Sequence, residues 1–185
     1  MLGCTLASLC AVAVLAIQTC AVATAPVIQD GIYRILNQAG GFLTSPGEEK
    51  GAAVFLAGRS DFQGSQDWEV FNQADGGVLI RSLDKGYYLA PKDPEDIRFR
   101  DTAIQSDQGY SWALYYNVEA QLYHITTLKY HNGLALGAPQ GTPSLVEFQF
   151  SRDVIEQEWK FIMVGMAQQP RTHCRGPWRV VVYLE

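Results

Sequence analysis

Three tryptophans at similar intervals divide most of this chain into units that follow one plan. Trp68, Trp112 and Trp159 are separated by 44 and 47 residues. Each unit consists of a short strand, a turn, a second short strand, a polar irregular stretch and a closing strand that carries the tryptophan. Internal repetition of this kind constrains the architecture before any single residue is interpreted. The three units predict a closed β structure with approximate threefold symmetry, which favours binding over catalysis.

Strand signals dominate the rest of the sequence. Residues 31–37, 42–45, 78–83 and 87–90 are short runs rich in β-branched and aromatic side chains, bounded by glycine-containing turns. No window of ten or more residues after the leader has a convincing apolar stripe with a helical period. About four strands per unit predict an all-β fold, a β-trefoil in which a six-stranded barrel is capped by three hairpins. A β-sandwich would not account for the period.

The N-terminal segment predicts secretion. Residues 1–25 contain no charged side chain, residues 6–17 are almost wholly apolar, and small residues follow at 21–25. This pattern predicts a signal peptide at 1–23, cleaved after Ala23. No Lys or Arg precedes the apolar run, and the stretch is nearly long enough to span a bilayer, so a retained membrane anchor is the alternative. After cleavage we expect a secreted protein without membrane association.

Charge and cysteine usage restrict the partners and the means of stabilisation. Of four cysteines only Cys174 follows the leader, so no intrachain disulfide is expected. The β-trefoil domain would occupy residues 30–164, with a C-terminal extension at 165–185, and we expect a monomer. The net charge is −5, and phosphate binding needs clustered cations, so nucleic acid is not an expected partner.

The titratable residues show no pattern typical of a catalytic or metal-binding site. The three histidines, His124, His131 and His173, have no spacing typical of a zinc site. The sequence contains no nucleophile elbow, phosphate loop or dinucleotide-binding fingerprint. His124 is followed directly by Ile125 in a predicted strand, so the two side chains should project from opposite faces of that strand. We therefore predict no enzyme activity, no metal and no cofactor.

The ends and the beginning of the units resemble known families. Gln66-Asp67-Trp68 and Gln157-Glu158-Trp159 form a Gln-x-Trp pattern, replaced in the middle unit by Tyr110-Ser111-Trp112. This pattern resembles the ricin-B-type β-trefoils, which implies that Trp68, Trp112 and Trp159 belong to the structural core of the repeats. The opening segment 31–37, followed by Phe42 and Leu43, resembles the first hairpin of the fungal β-trefoil serine protease inhibitors, the cospin-like family. The likeness extends over roughly residues 30–164.

That second resemblance implies a secreted inhibitor of serine proteases that acts through an exposed loop. A rigid scaffold holds such a loop in an extended form, so little conformational entropy is lost on binding. A trypsin-like target would require an inserted Lys or Arg to meet its acidic specificity pocket. By position, Lys50 in the loop 46–51 and Arg59 are the two candidate reactive residues.

The alternative function is that of a carbohydrate-binding, ricin-B-like lectin. Sugar sites in that group use an early Asp, an aromatic platform and a later Asn or Gln. Asp84 with Tyr87 or Tyr88, and Tyr130 with Asn132, supply parts of such a set, although no unit supplies all of it. A third reading is a trefoil that binds another protein without an inhibitory loop, since one fold hosts many functions.

Overall fold

The computed structural model describes residues 26–47, 49–59, 65–128, 133–139, 144–152 and 154–166. The predicted leader 1–23, Tyr130, Asn132 and Cys174 lie outside these ranges. The described residues form thirteen strands and one 3-10 turn at Ile155–Gln157. In chain order the strands are β1 Gly31–Asn37, β2 Phe42–Thr44, β3 Phe55–Ala57, β4 Asp67–Asn72, β5 Val78–Ser82, β6 Tyr88–Pro91, β7 Ala103–Ser106, β8 Trp112–Asn117, β9 Leu122–Thr127, β10 Leu134–Gly137, β11 Ser144–Leu145, β12 Glu147–Phe150 and β13 Trp159–Gly165.

Antiparallel pairing closes six of these strands into a barrel. Each strand pairs with its neighbour in the cyclic order β1, β4, β5, β8, β9, β13 and back to β1. The hairpins β2–β3 and β6–β7 and the pair β10–β12 lie beside the barrel, and β11 adds to β3. A six-stranded barrel with three hairpins is a β-trefoil, so the predicted fold class is confirmed.

The threefold repeat is visible in the core. Ile35, Ile80 and Ile125 take equivalent positions at the middle of β1, β5 and β9, and all three are fully buried. The alternating burial along β1 and β5 places one face of each strand in this core. Burial of an isoleucine side chain stabilises a fold by about 1.5–3 kcal/mol. The apolar positions of the repeat thus hold the barrel together.

The three tryptophans sit in matching environments at the start of the closing strands. All three indoles are fully buried. Each indole N–H donates to a hairpin carbonyl, at 2.9 Å from Trp68 to Leu43 and at 3.0 Å from Trp112 to Leu89 and from Trp159 to Leu136. A buried indole needs a partner for its N–H, and the hairpin supplies it in every lobe. The tryptophans therefore tie each hairpin to the barrel.

Three backbone hydrogen bonds form a ring where the hairpins meet. The Val54 N–H donates to Ala103 O at 2.9 Å, the Ala103 N–H to Val146 O at 2.8 Å, and the Val146 N–H to Val54 O at 3.0 Å. The sequence pattern predicts one strand over 144–150. The structure divides it into β11 and β12 at Val146, because the backbone groups of that residue bond within the ring.

Candidate functional site

The two candidate reactive residues have different surroundings. The Lys50 ammonium forms an ion pair with the Asp107 carboxylate at 2.7 Å, and the side chains are 61% and 53% exposed. This hydrogen bond lowers the pKa of the Asp107 carboxyl. Arg59 is also exposed, and its guanidinium makes no hydrogen bond or ion pair with any residue that the structure describes. Of the two side chains, Arg59 is the one not paired with another described residue.

Tyr88, one of the predicted sugar platforms, is part of a stack with a cation. The Arg81 guanidinium lies 5.1 Å from the centre of the Phe71 ring and 6.0 Å from that of Tyr88. Arg81 Nε also donates to the Glu69 carboxylate at 2.8 Å. These side chains lie on the outer face of the β4–β5 pair, where the Tyr88 ring packs against the Arg81 guanidinium.

Of the other predicted sugar residues, Asp84 and Tyr87 lie in the connection between β5 and β6, just before Tyr88. Asp84 lies 3.5 Å from the Lys85 ammonium, and Tyr87 is half-buried in the connection between β5 and β6. Tyr130 and Asn132 lie outside the described residues. None of the described members of this set lines the cleft that follows.

A cleft lies on the outer face of the β8–β9 hairpin. The register pairs Tyr115 with His124 and Ala113 with Thr126 on this face, while Ile125 points into the core. His124 thus projects from the face opposite to Ile125, as its position in the sequence predicts. The cleft has a volume of about 740 Å³. It is lined by Tyr115, Tyr116, Asn117, Val118, Glu119, His124, Thr126, Thr127, Gly133, Leu134 and Ser151.

Comparison with the preceding lobe explains why this face is open. At the β4–β5 pair, the residue after the tryptophan is Glu69, and it faces Arg81 across the ladder. At the β8–β9 pair, Ala113 and Thr126 take the same two positions. The ion pair that covers the first junction is therefore replaced by two short side chains, and their smaller volume leaves room for the cleft.

Two polar atoms of the cleft residues are not used by the fold. His124 Nε2 and Thr126 Oγ1 are buried and have no hydrogen-bond partner within the described ranges. Buried polar groups are nearly always hydrogen-bonded, and an unpaired one costs about 1–3 kcal/mol. Both residues line the cleft, so a side-chain rotation, a change that is common on binding, would turn these atoms toward a ligand. The cleft therefore offers two hydrogen-bonding groups to a ligand.

Tyr115 supplies an aromatic surface beside these groups. Its side chain is 55% exposed. The opposite face of the hairpin is held firmly, because the Tyr123 ring packs against Phe161 at 5.4 Å and its hydroxyl donates to Pro26 O at 2.7 Å. Burial raises the pKa of this Tyr123 hydroxyl. At the hairpin turn, Asn117 Oδ1 accepts the backbone N–H of Glu119 at 3.1 Å. Tyr115 thus projects from a rigid element, which favours a preformed binding surface.

Among the residues with described positions, no group of three His, Cys, Asp or Glu side chains is arranged to hold a metal ion. No helix in the described ranges has the length and apolar character needed to cross a membrane.

Comparisons with known proteins establish the fold. No protein-family model matches the chain, and no curated protein matches it. The Rhizoctonia solani agglutinin superposes with a TM-score of 0.66 at 17% identity, covering 75% of this chain and 99% of that one. The Macrolepiota procera ricin B-like lectin in complex with lactose gives 0.63 at 16% identity, with coverages of 75% and 99%. The designed threefold symmetric protein ThreeFoil gives 0.62 at 21% identity, with coverages of 72% and 99%.

These similarities show a β-trefoil fold shared with ricin-B-like lectins and a designed trefoil. Membership of the cospin-like inhibitor family stays a prediction. The sequence patterns did not single out Tyr115 or Thr126, because both lie within ordinary strand runs. The signal available in the sequence was the change from Glu69 and Arg81 to Ala113 and Thr126 at equivalent repeat positions.

Proposed function

We propose that this protein binds carbohydrate in the cleft on the outer face of β8 and β9. The observation that carries the proposal is the exposed Tyr115 ring in one cleft with two buried polar atoms, on His124 and Thr126, that have no partner among the described residues. A sugar presents a C–H face that can stack on an aromatic ring, and hydroxyls that both donate and accept hydrogen bonds. The volume of about 740 Å³ falls in the range typical of small-ligand sites.

Proteins of the same fold support this reading. The Macrolepiota procera lectin binds lactose, and a Polyporus squamosus lectin, similar at a TM-score of 0.58 and 17% identity, binds the epitope Neu5Aca2-6Galb1-4GlcNAc. For the present chain we infer a non-catalytic binding function of the same general class. We also propose that residues 1–23 are removed on secretion; N-terminal sequencing of the exported protein tests this cleavage.

A glycan array tests the proposed site when it is run with matched variants. We expect the wild-type protein to bind a restricted set of glycans and Tyr115→Ala to weaken that binding about fivefold, because a lost stacking contact is worth about 1 kcal/mol. Tyr87→Ala serves as the control and should bind as the wild type does. Loss of binding in Tyr87→Ala but not in Tyr115→Ala would place the site on the β5–β6 hairpin. Absence of glycan binding by folded protein contradicts the proposal.

Inhibition of a serine protease is the second proposed function, and it concerns Arg59. This arginine is exposed and has no partner in the described part of the chain, so it is available to enter an acidic specificity pocket. We expect Arg59→Glu to abolish inhibition of a trypsin-like protease and Lys50→Glu to leave the inhibition constant unchanged. If both variants inhibit as strongly as the wild type, neither residue is reactive; if the wild type does not inhibit, this second function is ruled out.

A further inference from the structure

A second cleft, of about 450 Å³, lies where the middle and last lobes meet. Phe99, in the connection between β6 and β7, stacks on Phe150 at the end of β12, with ring centres 4.8 Å apart and an interplanar angle of 17°. The side chains are 46% and 50% exposed. An exposed aromatic pair in a concave surface is a feature of ligand sites, because such apolar area is otherwise costly to leave in water.

Two arginines border this aromatic pair, and neither pairs with a carboxylate of the described residues. The Arg100 guanidinium lies 5.4 Å from the centre of the Phe99 ring, and Arg152 also lines the cleft. Neither guanidinium forms an ion pair or donates a side-chain hydrogen bond to any residue of known position in the structure. Among the described lining residues, Glu147 is the one carboxylate. The described lining residues therefore carry a net positive charge in a chain whose net charge is −5.

The backbone holds Arg100 in an uncommon conformation. Its φ is +71°, in the left-handed region that residues other than glycine seldom adopt. Its N–H donates to Phe148 O at 2.7 Å, which anchors the strained residue to the strand that carries Phe150. Such strain persists where the surrounding structure enforces it, and it is concentrated at functional sites. The backbone at Arg100 is thus held by the junction of the two lobes.

We propose that this cleft binds a carboxylate-bearing sugar, independently of the cleft on β8 and β9. The carboxylate would accept charge-assisted hydrogen bonds from Arg152 and Arg100, whose planar guanidinium groups match its geometry. The sugar ring would lie against the face of Phe150 that is turned away from Phe99. Glu147 would accept a hydrogen bond from a sugar hydroxyl and would disfavour a ligand with a second carboxylate. The small volume suits one or two sugar rings better than a folded partner.

Galacturonate and galactose form a matched pair of probes, because galacturonate carries a carboxylate where galactose carries a hydroxymethyl group. Titration of the full-length protein is followed by NMR, observing the backbone amides and the arginine Nε–H groups. We expect galacturonate to shift the signals of Arg100 and Arg152 and to bind about tenfold more tightly than galactose. Added salt should weaken the galacturonate complex, because the contacts between its carboxylate and the two arginines would be partly exposed to solvent. Equal affinity for the two sugars, or the absence of galacturonate-induced shifts, overturns the proposal.

Variants separate this cleft from the rest of the surface. Arg152→Gln removes one cation whose guanidinium makes no hydrogen bond or ion pair with a described residue. It should weaken galacturonate binding about tenfold. Arg98→Gln is the control, because Arg98 is exposed on the same connection but pairs with Asp96; it should leave the affinity unchanged. Tyr115→Ala should also leave the galacturonate affinity unchanged. A loss of galacturonate binding at this cleft can therefore be distinguished from a loss of glycan binding at the cleft on β8 and β9. Unaltered binding by Arg152→Gln, or equal losses in Arg152→Gln and Arg98→Gln, contradicts the proposal.

Discussion

Replacement of Thr126 by valine tests whether the fold leaves this hydroxyl unused. In the folded protein the buried Thr126 Oγ1 has no hydrogen-bond partner among the residues described. A buried hydroxyl without a partner costs about 1–3 kcal/mol, and a methyl group in its place does not carry this cost. We therefore expect Thr126→Val to raise the free energy of unfolding by about 1 kcal/mol, which corresponds to an increase of about 3 °C in Tm. The same variant should bind glycans more weakly.

The matched control is the same substitution at a threonine whose hydroxyl is used. Thr44 is buried, its hydroxyl donates to Phe42 O at 2.8 Å, and it accepts a hydrogen bond from Gln66 Nε2 at 3.2 Å. We expect Thr44→Val to lower the free energy of unfolding by about 1–2 kcal/mol. Urea denaturation of both variants measures the difference. If Thr126→Val destabilises the protein as much as Thr44→Val does, the Thr126 hydroxyl is satisfied and the argument for the cleft fails.

Three further outcomes are expected. Trp112→Phe should cost about 2–4 kcal/mol in urea denaturation, because Leu89 O loses its buried donor and the smaller ring leaves a void; a cost under about 1 kcal/mol contradicts the proposed role of the indole. Lys50→Gln should raise the pKa of Asp107 toward its ordinary value, as followed by carboxyl-carbon NMR. Because the pKa of Asp107 is lower in the folded state, its ion pair stabilises the fold at pH values above the ordinary carboxyl pKa. This stabilisation is lost as the pH falls through the lowered pKa of the folded state. Lys50→Gln lacks the ion pair, so it should lose less stability than the wild type on acidification. Tyr123 should ionise above the usual tyrosine pKa in an ultraviolet titration, with the associated stability lost as the pH rises through that raised value; ionisation at the usual pH would show that its ring is not buried.

The architecture was predictable from the sequence because the repeat is carried by large core side chains. Three tryptophans at similar spacing imply three similar lobes, and the equivalent isoleucines and indole hydrogen bonds of the structure have this origin. The break at Val146 was not predictable, because it depends on backbone bonds to two other lobes. Such long-range bonds leave no local pattern in the chain.

The candidate sites were mostly not predictable, since each joins residues that are distant in sequence. Lys50 is separated by 57 residues from Asp107, the carboxylate that pairs with it. Phe99 and Phe150 come from different lobes and become one surface only at their junction. The cleft on β8 and β9 is open because the outer face of these strands lacks the ion pair that Arg81 and Glu69 form in the preceding lobe. Side-chain identity alone does not reveal such an opening; the register of the paired strands does.

Mapping a bound glycan tests the proposed function most directly. A glycan selected on the array is titrated into isotope-labelled protein, and the shifts of the backbone amides are followed by NMR. The proposal predicts that the largest shifts lie on β8 and β9 around Tyr115, His124 and Thr126, and that Tyr115→Ala removes them. Shifts centred on the β5–β6 hairpin around Tyr87, with β8 and β9 unaffected, would contradict it.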